Sequence, residues 1–407
     1  MNVAQLLAIT GVEELGPDDE TWGMLKLGGK ADAPTPRPIL ENVVLILTHD
    51  PRWRGRIWFD AHRGRNKIDR RTITDTDEAK IALWLSQAYG LVVRSTVVGE
   101  AMSIVAAEHE EHPLRAYLSG VQWDGVERLD GWLTTYLSVA DDELTRAIGR
   151  CWALSAVARV FKPGCKVDTV LILVGGQGAG KSTALRVLGG EWFSDTPITV
   201  GSKDTYEQIT GTWIYELAEL DAFRKAEWPQ IKALISSPSD NVRRAYARNA
   251  VDVPRQGIFV GTTNREDCLS DVTGSRRFWP VTVGRIDIQA LRRDRDHLWA
   301  EAVARYEDGA AWWLDASEDA LLAERSERYE VSDPWAAKIA IWMDDRLEVE
   351  MHELLAGCLE RPSAQQSPHD AHRAGAVLSE LGYVRQRQRR GKSRASVWVR
   401  GDVCTAS

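Results

Sequence analysis

Apolar and polar positions follow three different rhythms along the chain, and each marks a region. Near the N-terminus "VVLILTHD" and "RIWFD" read as two short strands, and the proline-rich "ADAPTPRPILENV" (31–43) reads as an extended entry segment. "TDTDEAKIALWLSQAYG" then takes helical spacing. Ile81, Leu83, Trp84, Leu85 and Tyr89 supply the apolar positions, Asp or Thr caps the start, and Gly90 stops it. A second helix is expected over 98–108, and helical spacing continues from 111 to 160 until "KPGCK" (162–166) breaks it. Beyond that point short apolar runs alternate with helical ones. A strand at 168–174 enters a glycine loop and a helix to about 188; "GTWIYELAEL" (211–220) and "QGIFVGTTN" (256–264) read as buried strands. Apolar strands alternating with helices predict a parallel, three-layered sheet. After "RRFWPVTV" (276–283) the spacing is helical to about 330, "SDP" (332–334) marks a boundary, and a small helical-plus-hairpin unit fills the rest. There is no internal repeat.

Composition narrows this picture. At 407 residues the chain exceeds one ordinary core, so two or three domains are expected. No uninterrupted apolar run approaches the ~20 residues of a membrane span. The first residues, "MNVAQLLAITGVEELG", lack a basic leader and do not read as a secretory signal. Cys151, Cys165, Cys268, Cys358 and Cys404 form no CxxC pair, which argues against a zinc ribbon or disulfide framework and suits a reducing cytoplasm. A net charge of -8 does not point to nucleic acid. Its distribution does: from Tyr383 to Arg400 the chain carries Arg385, Arg387, Arg389, Arg390, Lys392, Arg394 and Arg400 and no acid. A solvated surface hairpin is the alternative reading.

The chemistry concentrates in "LILVGGQGAGKSTALRVL" (171–188). Gly175, Gly180, Lys181 and Ser182 satisfy the phosphate-loop pattern, between a strand and a helix as that pattern requires. In it the loop Gly175, Gly176, Gln177, Gly178, Ala179, Gly180, with Lys181, Ser182 and Thr183, surrounds the phosphates of a nucleoside triphosphate. Backbone amides converge on the oxygens, Lys181 reaches the β- and γ-phosphates, and Ser182 ligates Mg²⁺. Such a site needs an acid for metal and water. "WIYELAELD" offers Glu216, Glu219 and Asp221; an acid at the strand's C-terminal edge faces the nucleotide, which favours Glu219 with Asp221 beside it and leaves Glu216 as a structural acid. "FVGTTN" places Asn264 at a strand end, where it orients water. Arg276 and Arg277 follow a dozen residues later, suited either to a neighbouring subunit's nucleotide or to surface ion pairs.

Together "HPLRAYLSGVQWDGVERLDGWL", "FKPGCKVDTVLILVGGQGAGKSTALRVLGGEWFSD", "GSKD", "GTWIYELAELDAF" and "FVGTTNREDCLSDVTGSRRFWPV" resemble the virulence-associated E family, phage and genomic-island proteins related to superfamily-3 AAA+ helicases. The resemblance covers roughly 35–285. It implies a ring-forming, hexameric ATPase that moves on DNA during replication of a mobile element, with ATP and Mg²⁺ as cofactors. By it Gly175, Gly180, Lys181 and Ser182 match the Walker A loop, Glu219 the Walker B acid, Asn264 the sensor, and Arg276 with Arg277 the arginine pair. The expected architecture is then an N-terminal α+β region (1–110), a helical collar-like segment (111–162), an α/β AAA+-like P-loop core (163–330) and a winged-helix domain (335–401). Some relatives carry an N-terminal primase-polymerase. The first 110 residues here have no zinc-binding cysteines, and His49, Asp50 and Asp60 read as loop residues, so priming is expected from a separate primase or polymerase. Arg243, Arg244, Tyr246 and Arg248 lie where superfamily-3 relatives project a hairpin onto single-stranded DNA, and the C-terminal hairpin, Arg387, Arg389, Arg390 and Lys392 above all, is expected on duplex phosphates. The rivals are an ATPase switch without processive unwinding, a primase-helicase, and a small-molecule kinase.

Overall fold

The computed structural model describes residues 16–199, 202–220, 228–242, 251–265, 275–326, 329, 334–390 and 393–401. The chain forms two compact units, Met1–Arg328 and Tyr329–Ser407.

The first unit holds two apolar cores. One gathers residues from Leu25 to Ala106, including the mutually packed Trp53 and Trp84. Its strands Ile57–Asp60, Arg65–Ile68, Arg71–Thr72 and Glu110–Glu111 make a four-stranded sheet with Ile57–Asp60 between Arg65–Ile68 and Glu110–Glu111. "VVLILTHD", expected as a strand, lies instead in the helix Leu40–His49 and just beyond it. Val43, Ile46 and Leu47 are fully buried at i, i+3 and i+4. Asn42, also fully buried, donates through Nδ2 to the carbonyls of Lys26 and Arg37. Burial of one helical stripe has overridden the strand preference of the β-branched run. Part of the proline-rich entry segment pairs as a strand, Ala33–Pro36 against Leu27–Lys30. The helix Asp75–Tyr89 starts from a Thr74–Asp77 capping box and ends at Gly90, whose left-handed φ of 65° only glycine adopts freely. Asp50 and Asp60 are buried: Asp50 binds Arg52 and the Tyr89 hydroxyl, and Asp60 accepts the amides of His62 and Arg63.

The second core runs from Leu114 to Leu322 and takes in both the helices of 113–161 and the sheet. The helix Glu143–Phe161 is buried on nearly every side. Trp132 Nε1 donates to the Gly149 carbonyl on it, and a Cβ at Gly149 would stand 2.9 Å from that nitrogen, so glycine is what allows the approach. The sheet has five parallel strands in the order Phe278–Thr282, Val170–Val174, Ile258–Thr263, Ile214–Leu217, Phe193–Ser194. The central three are buried throughout. Because all five run one way, their C-terminal ends form one edge, and the glycine loop leaves from it.

The two cores meet around His62, Gln256 and His112. Gln256 Oε1 lies 3.1 Å from His62 Nδ1 and 2.6 Å from His112 Nε2. Burial pushes the His62 imidazole down to about 4 and also lowers His112. Burial thus favours the neutral form of both rings in the folded chain, and through His62 the unfolded chain binds more protons between about pH 6.5 and 4. Stability should fall as the pH drops through that window. Thermal unfolding of native protein and His62→Gln at pH 7 and pH 5 checks this: the native protein should lose more melting temperature on acidification than the variant, and equal losses would show that His62 does not carry the effect.

In the second unit the helices Pro334–Met343 and Pro368–Glu380 pack with a three-stranded sheet, ordered Glu348–Glu350, Ser393–Arg400, Tyr383–Arg390. "MHELLAGCLE" forms the short helix Met351–Glu353 running into a π-helical turn over Leu354–Cys358. Arg373 lies over Trp335, 4.0 Å from the ring centroid. Among the described residues no helix is long and apolar enough to cross a membrane.

Candidate nucleotide site

The glycine loop follows the strand Val170–Val174 and opens the helix Lys181–Gly189. Gly178 and Gly180 have φ of 77° and 90°, and this backbone turns the loop sharply into the helix. Around Gly176 and Gly178 there is open space where a Cβ would be, while a Cβ at Gly175 would stand 2.7 Å from Val283. The loop is thus pinned at its base and open at its crown, as a phosphate cradle must be.

Lys181 is buried in this loop. Its ammonium donates to the carbonyls of Gly175 (2.6 Å) and Gly176 (3.0 Å) and to Asn264 Oδ1 (2.9 Å). Burial lowers its pKa, against the pull of Glu216. Asn264 follows the strand Ile258–Thr263, whose Thr263 carbonyl accepts the Gly175 amide at 3.2 Å. Two strand ends therefore hold the lysine and the asparagine together.

The acid facing this loop is Glu216. Its Oε1 accepts from Ser182 Oγ at 2.7 Å and Thr262 Oγ1 at 2.6 Å. Its Oε2 is buried with no hydrogen-bond partner among the described residues. Of the acids in this segment, Glu216 and not Glu219 is the one in contact with Ser182. The strand spans Ile214–Leu217, not 211–220, so Glu216 itself stands at the C-terminal edge. Glu219 lies two residues beyond, exposed, with a left-handed φ of 51°. An acid inside a four-residue apolar strand was the available signal, since a buried carboxylate without a task is rare.

A carboxylate oxygen left without a donor beside a hydroxyl is the donor set a hard cation takes, so the residues fit Mg²⁺ held by Ser182 and Glu216. Among the described residues no group of three His, Cys, Asp or Glu is placed to hold a metal ion elsewhere. Gln177 and Thr183 are exposed at the loop and on the first helical turn.

Arg276 and Arg277 precede the strand Phe278–Thr282, which pairs in parallel with the glycine-loop strand, Phe278 opposite Val170. They therefore sit at the sheet edge opposite their own glycine loop, roughly 15 Å away along the strand. Arg276 is exposed, and Arg277 is half-buried with Nε 4.0 Å from Asp168. Asp221, Arg243, Arg244, Tyr246, Arg248 and Lys392 lie outside the described residues. Arg387 is exposed on the edge strand Tyr383–Arg390, which also carries the backbone of Arg389 and Arg390.

No curated protein sequence matches the chain. Among solved structures, two apo forms of the NrS-1 C-terminal region are similar, with TM-scores of 0.47 and 0.45, 12% identity, and coverage of 85% of this chain and 96% of theirs. A RuvB mutant from Thermotoga maritima is similar at a TM-score of 0.24 and 15% identity, over 61% of this chain and 91% of its own. The virulence-associated protein E-like domain matches residues 118–331, more than half of the chain and all of the glycine-loop sheet. The chain belongs to the virulence-associated protein E-like family.

Proposed function

We propose that the chain is an ATP-driven DNA translocase or helicase that works as a ring, a hexamer in the family's manner, in the replication of a phage or other mobile element. The observation that carries the nucleotide half of this reading is the Glu216 carboxylate, buried against Ser182 and spare by one oxygen. In this reading the core is an AAA+-type P-loop domain. The amides from Gly175 to Thr183 enclose the phosphates, and Lys181 exchanges its loop carbonyls for the β- and γ-oxygens. Bound Mg²⁺ neutralises charge on those oxygens. Ser182 and Glu216 position it, Glu219 with Asp221 draws the proton from the attacking water, and Asn264 orients that water. The strained backbone at Glu219 suits this role, because non-glycine residues are kept in such conformations where a site demands it. Arg276 or Arg277 completes a neighbour's site.

The DNA half rests on chemistry in two places. Arg243, Arg244, Tyr246 and Arg248 supply cations and a stacking ring for a single strand. In the second unit the helix Pro368–Glu380 and the basic hairpin suit a winged-helix domain on a duplex, with Arg387, Arg389, Arg390 and Lys392 along the phosphates. Priming is left to a separate primase or polymerase, and the working place is the cytoplasm. Strand displacement on a forked duplex tests the motor reading: ATP-dependent release of the labelled strand is expected. DNA-stimulated hydrolysis without any release would make the chain an ATPase switch on DNA.

A further inference from the structure

A polar cleft lies at the opposite end of the sheet from the glycine loop. The strand Arg65–Ile68 pairs with Ile57–Asp60 on one side and Arg71–Thr72 on the other, with Lys67 opposite Thr72. Strand alternation puts Arg65 and Lys67 on one face. A cleft of about 220 Å³ opens there, lined by Arg63, Arg65, Thr72, Glu191, Thr210 and Thr212 among others. Phe193, also on its wall, pairs with Ile214, the first residue of the strand that ends beside Glu216. The cleft thus sits at the N-terminal edge of the sheet and is separate from the nucleotide site.

Its cations outnumber the acids free to neutralise them. Lys67 is only 5% exposed, and its ammonium donates to the Thr72 hydroxyl at 3.1 Å. Burial, helped by the Arg63 and Arg65 charges and opposed by the more distant Asp60 and Glu191, lowers its pKa. Arg63 is held across the cleft by the Glu191 carbonyl at 2.9 Å and its carboxylate at 3.4 Å. Asp60 spends its Oδ1 on the amides of His62 and Arg63. Arg65 is exposed, and among the described residues neither it nor Lys67 has a carboxylate within ion-pair distance. Lysine is rarely buried without a counter-charge, because desolvating an ammonium is costly. The cleft wall carries two arginines and three threonines against the single Glu191 carboxylate, and Lys67 reaches it through the Thr72 hydroxyl, so donors for an anionic oxygen cluster outnumber the acceptors.

We propose that this cleft binds a phosphate group, carried either by a nucleic-acid backbone or by a small free phosphate compound. Arg65 and Lys67 supply the charge, Arg63 a fixed fork, and Thr72 and Thr212 the hydroxyls. The site stands whether or not the chain hydrolyses ATP.

Two arms on the full chain separate the sources. The first uses inorganic pyrophosphate in a Lys181→Ala background, which removes the glycine loop's own phosphate cation. Pyrophosphate at ten times its Kd should raise the melting temperature by roughly 2–3 °C, and adding Arg65→Gln and Arg63→Gln should abolish the rise. The second titrates a fluorescein-labelled single-stranded 20-mer at several salt concentrations. Each lost phosphate contact should flatten the slope of log affinity against log salt by about 0.7, so Arg65→Gln should lose about 0.7 and the double variant about twice that. A cleft-dependent effect in the first arm alone identifies a free phosphate compound; an effect in the second identifies a strand. Arg65→Gln removes an exposed side chain, so folding is not at stake in it. No cleft-dependent change in either arm overturns the proposal.

Discussion

Arg276→Ala is expected to lower turnover by roughly 10³–10⁵ while leaving nucleotide binding intact, the range lost when an arginine finger is removed. The reason is topological. Arg276 and Arg277 enter the edge strand at its N-terminal end, and the parallel register with Val170–Val174 sets them a full strand length from their own glycine loop. An arginine there cannot serve the phosphate bound in its own subunit. Arg276 is exposed and free to cross an interface, whereas Arg277 is half-buried near Asp168, so Arg277→Ala should cost less. Mixing Arg276→Ala with Lys181→Ala subunits should restore part of the activity, because some mixed interfaces pair an intact finger with an intact loop. Mixed rings that form and recover nothing would remove the claim of action across an interface.

Glu216→Gln should cost about 10²–10³ in kcat, the equivalent of ~3–4 kcal/mol of transition-state charge stabilisation. The amide oxygen still accepts from Ser182 and Thr262, so the fold should hold and nucleotide should bind without Mg²⁺ as it does to the native protein. What should go is the strengthening of binding by Mg²⁺. Glu219→Gln is expected to behave differently: Mg²⁺-dependent binding is kept and kcat alone falls, because Glu219 stands past the strand on exposed backbone. Near-native turnover in Glu216→Gln, with Glu219→Gln losing the metal dependence, would reverse the assignment of the two acids.

The parts of this chain that were legible in the sequence are those where local chemistry has no alternative. The spacing of Gly175, Gly180 and Lys181 announces its loop, and Gly90 and Thr74 announce the ends of their helix, because few other residues satisfy those backbones. "VVLILTHD" (43–50) reads as a strand because Val43, Val44 and Ile46 favour strands, and only the packing of Asn42, Ile46 and Leu47 against the rest of the unit decides for the helix Leu40–His49. Glu216 reads as a structural acid from the sequence because the strand is expected to run to 220, whereas it ends at Leu217. Alternation along "WIYELAEL" does not say where pairing stops; the register with Ile258–Thr263 does. The placement of Arg276 and Arg277 needed the order of five strands, and the meeting of His62 with Gln256 links residues nearly 200 apart. Such long-range pairings leave no trace in local periodicity.

The most direct test of the proposed function is the steady-state ATP hydrolysis rate of the full chain, with and without Mg²⁺ and with and without single-stranded DNA. Hydrolysis is expected to require Mg²⁺ and to accelerate when the strand is added. Hydrolysis indifferent to the strand, or none at all with nucleotide bound and Mg²⁺ present, would contradict it.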